Sequence, residues 1–114
     1  MMDFKTYQEE VDKASFYPDA HTGSLESIVY GALALNGEAG EVAEKVKKIW
    51  RDKNGEFGAD DKHAVVKELG DTLFYITRIA SELGYSLETV AEINVAKFQY
   101  RKSMGTLQGS GDNR

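Results

Sequence analysis

The chain has 114 residues, of which 41% are hydrophobic and 29% are charged, a composition typical of one globular domain. Its net charge of −5 offers no basic field for nucleic acid, and the absence of cysteine excludes disulfides and thiolate-bound metals. The N-terminus has no hydrophobic signal core and no apolar run approaches about 18 residues, so we expect a cytoplasmic protein that does not bind membranes.

The first half of the chain favours long helices. The single proline, Pro18, leaves most of the sequence free of this helix breaker. Apolar residues at helical spacing predict a first helix over residues 3–15, followed by a loop over residues 16–23. Ser24 has the hydroxyl that caps a helix N-terminus, and it begins a second helix that reaches about residue 52.

Two further helices are predicted in the second half. The third covers residues 60–83, opens with two aspartates and ends before Gly84, which stands where a left-handed cap is expected. Ser86 caps a fourth helix. We expect residues 1–104 to form a single all-α domain, a four-helix-type bundle. Residues 105–114 are rich in glycine and poor in apolar residues, so we expect a disordered tail.

Two pairs of carboxylates lie at matching places on the second and third predicted helices. Glu38 and Glu41 are three residues apart, as are Glu68 and Asp71, so each pair lies on one helix face. In both helices the pair follows the same edge of an apolar stripe, and antiparallel packing of the stripes would bring the pairs together. Four carboxylates in one place repel one another unless a cation lies among them. The stripes consist of Ile28, Leu35, Val42, Val46, Ile49 and Trp50 on the second helix and of Val65, Leu69, Leu73, Ile76, Ile79 and Leu83 on the third.

Carboxylates in this pattern are typical ligands of Mg²⁺ and Mn²⁺, which prefer oxygen donors and bridge proteins to substrate phosphates. A water activated by such a metal, with a carboxylate as base, can hydrolyse a phosphoanhydride. The alternative is that both pairs are solvated helix faces. Gly40 and Gly70 precede the second carboxylate of each pair, which indicates either close approach of a ligand or backbone, or small-residue helix packing.

Three segments carry a resemblance to a known family. They are LNGEAGEV at residues 35–42, ELGDTL at residues 68–73 and NVAKFQYR at residues 94–101. Through them the chain resembles the MazG-like nucleotide pyrophosphohydrolases over roughly residues 25–102. These enzymes belong to the all-α NTP pyrophosphatase superfamily, with dimeric dUTPases and phosphoribosyl-ATP pyrophosphohydrolases as relatives.

The resemblance implies an oligomeric enzyme, a homodimer or homotetramer with its sites near subunit interfaces. It implies Mg²⁺-dependent hydrolysis of a nucleoside triphosphate to a monophosphate and pyrophosphate, with Mn²⁺ as a second usable metal. Many members have two adjacent glutamates at the start of the first motif, and here Gly37 stands at the first of these positions. The resemblance therefore leaves open whether Glu38 or Glu41 activates the water. Carried over by position, the catalytic metal ligands are Glu38, Glu41, Glu68 and Asp71, and the substrate contacts on the fourth helix are Asn94, Lys97 and Arg101.

Other charged and aromatic residues near these motifs are further candidates. Lys48 and its neighbour Lys45 could neutralise a triphosphate, or either could be a solvated helix-end cation. Glu44 lies on a different face of the second helix from Glu38 and Glu41. We therefore expect it at the surface with Lys48 as its partner. Trp50 and Tyr75 could contact a base, but aromatic residues beside an apolar stripe usually belong to the core.

Two other functions are compatible with the sequence. The chain could be a non-catalytic helical module for oligomerisation or partner binding, with merely solvated acids. It could also act on a nucleoside diphosphate, a phosphoribosyl nucleotide or an alarmone. The second and third helices carry more apolar surface than one small subunit can cover, which favours a homodimer or larger assembly.

Overall fold

The computed structural model describes residues 1–112, and this part of the chain is all-helical. Its four helices are α1 (Phe4–Lys13), α2 (Leu25–Asp52), α3 (Ala59–Glu82) and α4 (Leu87–Ser103). The described residues contain no strand, so the predicted all-α fold with four helices is confirmed. None of the helices in the described residues has the length and apolar character needed to cross a membrane.

Side-chain caps set where three of these helices begin. Asp3, Ser24 and Ser86 each accept a hydrogen bond from a backbone N–H in the first turn of α1, α2 and α4. These bonds satisfy donors that have no partner inside a helix. Gly84 has a φ of 81° and follows the end of α3, so the predicted left-handed cap is confirmed.

The central unit of the fold is the antiparallel pair of α2 and α3. Gly31 lies so close to Ile79 that a Cβ on the glycine would be 2.9 Å from the Ile79 Cγ1 atom. Towards the other end of the pair, the Lys45 ammonium lies 3.5 Å from a carboxylate oxygen of Glu68. α1 packs on α3, and α4 packs on α1 and α3. Within residues 1–112, α4 does not pack against α2.

A buried ion-pair network ties α1 and the following loop to α3. Arg78 is 1% exposed, and its guanidinium donates to Asp12 at 2.5 Å and to Glu82. Glu82 also accepts the backbone N–H groups of His21 at 2.5 Å and Gly23 at 2.7 Å. Burial raises the pKa of Glu82, but these hydrogen bonds and the guanidinium outweigh it and leave the pKa below its usual value. The network therefore fixes the loop against the end of α3.

The arrangement is open for a chain of this length. Its radius of gyration is 16.9 Å, whereas a compact domain of this size has about 13 Å. Leu33 is 71% exposed, Val66 58% and Leu69 51%. The prediction that α2 and α3 carry more apolar surface than one chain covers is confirmed.

Trp50 corrects one expectation, because it lies outside the core of the single chain. It is 75% exposed, on the last turns of α2, beside a cavity of about 340 Å³ that Val46 and Phe57 also line. The turn between α2 and α3 contains residues 53–58, and its Phe57 lines the same cavity but leaves the indole ring exposed. The apolar stripe of α2 is therefore buried at Ile49 and exposed to solvent at Trp50.

The predicted tail begins directly after α4. Residues 105–112 form turns and bends, and Asp112 contacts Lys97 and Arg101. Asn113 and Arg114, the end of the tail that we expected to be disordered, lie outside the described residues. The domain limit at residue 104 stays a prediction.

We expect Glu82→Gln to lower the free energy of unfolding by about 2–4 kcal/mol, because it leaves the buried Arg78 with Asp12 as its remaining counterion. Urea denaturation measures this difference. The folded-state pKa of Glu82 is lowered, so its ionised form stabilises the fold above the unfolded value of 4.5, and this stabilisation is lost as the pH falls below it. Wild type and variant should therefore converge in acid.

The matched control is Glu10→Gln, since Glu10 pairs with Lys13 on the surface. This change should cost less than about 0.5 kcal/mol. Equal stability of Glu82→Gln and wild type at pH 7 would show that the network does not hold the loop.

Candidate active site

The pairing of α2 and α3 brings three of the four predicted acids together. Glu38, Glu68 and Asp71 each place one carboxylate oxygen within 4.8 Å of the others. Glu38 and Glu68 are half-buried and Asp71 is exposed, so a ligand can reach the group from solvent. A set of oxygen donors at this spacing has the chemistry that Mg²⁺ and Mn²⁺ require.

The carboxylates of this acidic cluster (Glu38, Glu68 and Asp71) are not fully neutralised by the protein. Burial and then the charges of Asp71, Glu68 and Glu41 raise the pKa of Glu38. The Lys45 ammonium, 3.5 Å from Glu68 and 41% exposed, supplies partial compensation. Negative charge therefore remains in excess among the three acids, which suits a divalent cation.

Glu41 lies at the border of the acidic cluster. Its side chain is exposed and outside the group of oxygens that lie within 4.8 Å of one another. Its charge still contributes to the raised pKa of Glu38. Its role as a metal ligand stays a prediction, and its position leaves the carboxylate free to act on a water instead.

Aromatic side chains form the wall beside the acids. Phe74 and Tyr75 line a cavity of about 270 Å³ together with Glu38 and Asp71, and the two rings meet edge to face with their centres 5.1 Å apart. Burial, and then nearby groups that include Glu38 and Asp71, raise the pKa of the Tyr75 phenol. The phenol is therefore neutral at pH 7 and can donate a hydrogen bond to a ligand in the cavity. Contact of Tyr75 with a base stays a prediction.

The wall continues into a larger aromatic group. The Tyr75 ring lies 6.4 Å from that of Tyr17, which stacks in parallel on Tyr30 at 4.5 Å. These rings come from the loop before α2 and from both central helices. The aromatic group therefore holds the loop and the two helices together beside the acidic cluster.

Two residues near the acids were not among the predicted site residues. Phe74 follows Asp71 by three residues and could have been found from helical spacing. Tyr7 lies on α1, and burial followed by the charge of Asp71 raises the pKa of its phenol. No local pattern could have placed Tyr7 near the acids, because its position depends on how α1 packs.

The glycines of the two motifs have open space beside them. A Cβ built on Gly37, Gly40 or Gly70 would meet no atom of the described chain within 4 Å. Within the single chain these glycines therefore do not serve close helix packing, whereas Gly31 does. Close approach of a ligand or of another chain to Gly40 and Gly70 stays a prediction. The absence of a glutamate at position 37 has no steric cause within the described residues.

Lys48 lies away from the acidic cluster. Its ammonium is 3.3 Å from Glu44, which confirms the predicted surface pair. Lys45, one turn earlier, is the lysine that contacts Glu68. The role of Lys48 in substrate binding stays a prediction.

The predicted substrate contacts on α4 share that helix but differ in exposure. Asn94 and Lys97 are exposed, whereas Arg101 is 8% exposed and donates to the backbone oxygen of Asp112 at 2.9 Å. In the described part of the chain α4 does not pack against α2, which carries Glu38, but it packs on α3, which carries Glu68 and Asp71. The role of Asn94, Lys97 and Arg101 as substrate contacts also stays a prediction.

We expect Glu38→Gln to raise the melting temperature of the metal-free protein by about 2 °C, because it removes repulsion within the acidic cluster. The same change should abolish the stabilisation that Mg²⁺ gives the wild type. Calorimetric melting with and without Mg²⁺ measures both effects.

Glu44→Gln is the matched control on the same helix. Hydrogen bonds from Lys47 and Lys48 lower the pKa of Glu44, so its loss should not raise the melting temperature. It should also leave the response to Mg²⁺ intact. A Glu38→Gln protein that Mg²⁺ stabilises as strongly as wild type would exclude Glu38 as a ligand.

Comparison with known proteins agrees with the geometry. A model of the MazG nucleotide pyrophosphohydrolase domain matches residues 30–105, which include every predicted metal and substrate residue. The chain is also similar to the Gene 37 protein of Mycobacterium phage L5, with 43% identity over 109 residues that cover 95% of this chain and 96% of that protein. No solved structure matches the chain. The chain therefore belongs to the MazG nucleotide pyrophosphohydrolase family.

Proposed function

We propose that this protein is a Mg²⁺-dependent nucleoside triphosphate pyrophosphohydrolase that converts an NTP or dNTP to the monophosphate and pyrophosphate. The observation that carries the proposal is the convergence of Glu38, Glu68 and Asp71 in a chain of the MazG family. Mn²⁺ has the same preference for oxygen ligands and is proposed as a second usable metal. A cytoplasmic location fits an enzyme that acts on free nucleotides.

The acidic cluster would hold the metal through one oxygen of each carboxylate. The chemistry that bound Mg²⁺ supplies is neutralisation of phosphate charge and acidification of a water. Burial and then the charges of the neighbouring acids raise the pKa of Glu38, and holding the cation would relieve the repulsion between these charges. The donors lie on two helices that pack against each other, so their spacing is fixed before the substrate binds.

Glu41 is proposed as the base. Hydrolysis breaks the bond between the α-phosphorus and the oxygen that bridges to the β-phosphorus, and a water oxygen takes its place. The water must lose a proton, and pyrophosphate leaves with the bridging oxygen. Glu38 is required as a ligand, whereas Glu41 is exposed and outside the cluster of close oxygens, so its carboxylate is available to accept that proton.

A second subunit is proposed to complete the site. The cavity beside Glu38 and Asp71 holds about 270 Å³, less than the roughly 300–1,000 Å³ of typical small-molecule pockets. Within residues 1–112, α4, which carries the predicted phosphate contacts, does not pack against α2. A homodimer or homotetramer would cover exposed apolar residues of α2 and α3 and could bring Lys97 and Arg101 of one copy towards the acids of another.

One observation favours a non-catalytic helical module as the second candidate. The exposed apolar side chains of α2 and α3 suit oligomerisation whether or not the acids bind metal. In that case Lys45 and solvent would suffice to compensate the negative charge of the acidic cluster. Mg²⁺ would then produce no heat of binding. The enzyme proposal requires such heat.

We expect purified protein with Mg²⁺ to release monophosphate and pyrophosphate in equal amounts from at least one member of an NTP and dNTP panel. Anion-exchange chromatography resolves these products. Asp71→Asn should lower kcat by about 100-fold or more, because it removes one charge from the metal site.

Glu44→Gln is again the control and should keep full activity, since Glu44 pairs with Lys47 and Lys48 on the surface. Circular dichroism should show the same helix content in all three proteins. Release of orthophosphate without pyrophosphate would contradict the proposed cleavage site. Nucleoside diphosphates, phosphoribosyl nucleotides and alarmones in the same panel test the other substrate classes.

A further inference from the structure

The chain reverses direction directly after α4. Gly105 has a φ of 70°, a conformation that other residues rarely adopt, and Thr106 donates its backbone N–H to the Arg101 carbonyl at 2.8 Å. This turn sends residues 105–112 back towards α4. The segment therefore ends beside the helix instead of extending away from it.

The end of this segment places a carboxylate on two cations of α4. An Asp112 carboxylate oxygen lies 2.9 Å from the Lys97 ammonium and 3.3 Å from the Arg101 guanidinium. Arg101 also donates to the Asp112 backbone oxygen at 2.9 Å. Hydrogen bonds from Lys97 and Arg101 lower the pKa of Asp112, so it is ionised at neutral pH.

A carboxylate held by an ammonium and a guanidinium occupies the same donors that bind phosphate oxygens. We propose that residues 105–112 are a strap whose Asp112 carboxylate occupies a polyphosphate-binding site formed by Lys97 and Arg101. A pyrophosphate or triphosphate group then binds these cations by displacing Asp112. The assignment of this ligand to the substrate rests on the proposed function, whereas the competition depends on the two cations alone.

The contact between the strap and Lys97 is open to solvent. The Asp112 side chain is 80% exposed and that of Lys97 is 40% exposed, and exposed ion pairs are weak and screened by salt, whereas Arg101 is largely buried. The attachment of Asp112 to the chain gives it a high effective concentration near Lys97. A polyphosphate offers more oxygens and more charge than one carboxylate. Polyphosphate binds the molecules in which the strap is open. The apparent affinity for polyphosphate is therefore the affinity of the open form multiplied by the fraction of open molecules.

The test titrates inorganic pyrophosphate into the full chain by calorimetry, in EDTA so that no metal bridges the anion to the acidic cluster. We expect Asp112→Asn to bind pyrophosphate about threefold more tightly than wild type. Glu56→Gln removes the same charge from the exposed turn between α2 and α3 and should bind as wild type does. Adding Lys97→Gln to Asp112→Asn should remove the gain.

Equal or weaker binding by Asp112→Asn would overturn the proposal, as would an equal gain in Glu56→Gln. A second measurement uses the unaltered protein. Pyrophosphate should shift the backbone amide resonance of Asp112 in step with the side-chain resonances of Arg101, and an Asp112 resonance that stays fixed while Arg101 responds would overturn the strap. If no nucleotide is hydrolysed, the proposed function fails. These titrations would still show whether Asp112 and pyrophosphate compete for Lys97 and Arg101.

Discussion

The antiparallel register of α2 and α3 determines which charged groups meet in this protein. Gly31 against Ile79 sets the close approach at one end, and Lys45 against Glu68 marks the other. Between these points Glu38 faces the acids of α3, at a spacing that repels until a cation enters. A slip along either helix would separate these oxygens. The packing of the two helices therefore also determines the arrangement of the acidic cluster.

The open shape of the chain follows from the same pair of helices. α2 and α3 bury one side against each other, and α1 and α4 do not cover the rest. The buried polar network around Arg78 fixes the loop before α2 without adding apolar burial. The exposed apolar residues and the incomplete cavity support the proposal that more than one copy of the chain builds the site.

Helical spacing was enough to predict the four helices and the convergence of Glu38, Glu68 and Asp71, whereas Glu41 lies outside the group of close oxygens. The periodicity of the apolar stripes and the caps at Ser24 and Gly84 are local signals. They depend on residues that are near in sequence and not on how the helices pack. The exposure of Trp50 and the position of Tyr7 depend on what each residue packs against, which no local pattern contains. The burial of Arg78 likewise depends on an acid from another helix and on a loop that folds over it.

Glu38, Glu68 and Asp71 are proposed to hold a divalent cation together. The most direct measurement is anomalous X-ray diffraction from crystals of the protein grown with Mn²⁺. We expect an anomalous peak at bonding distance from oxygens of all three carboxylates. Crystals saturated with Mn²⁺ that show no peak among these oxygens would contradict the account.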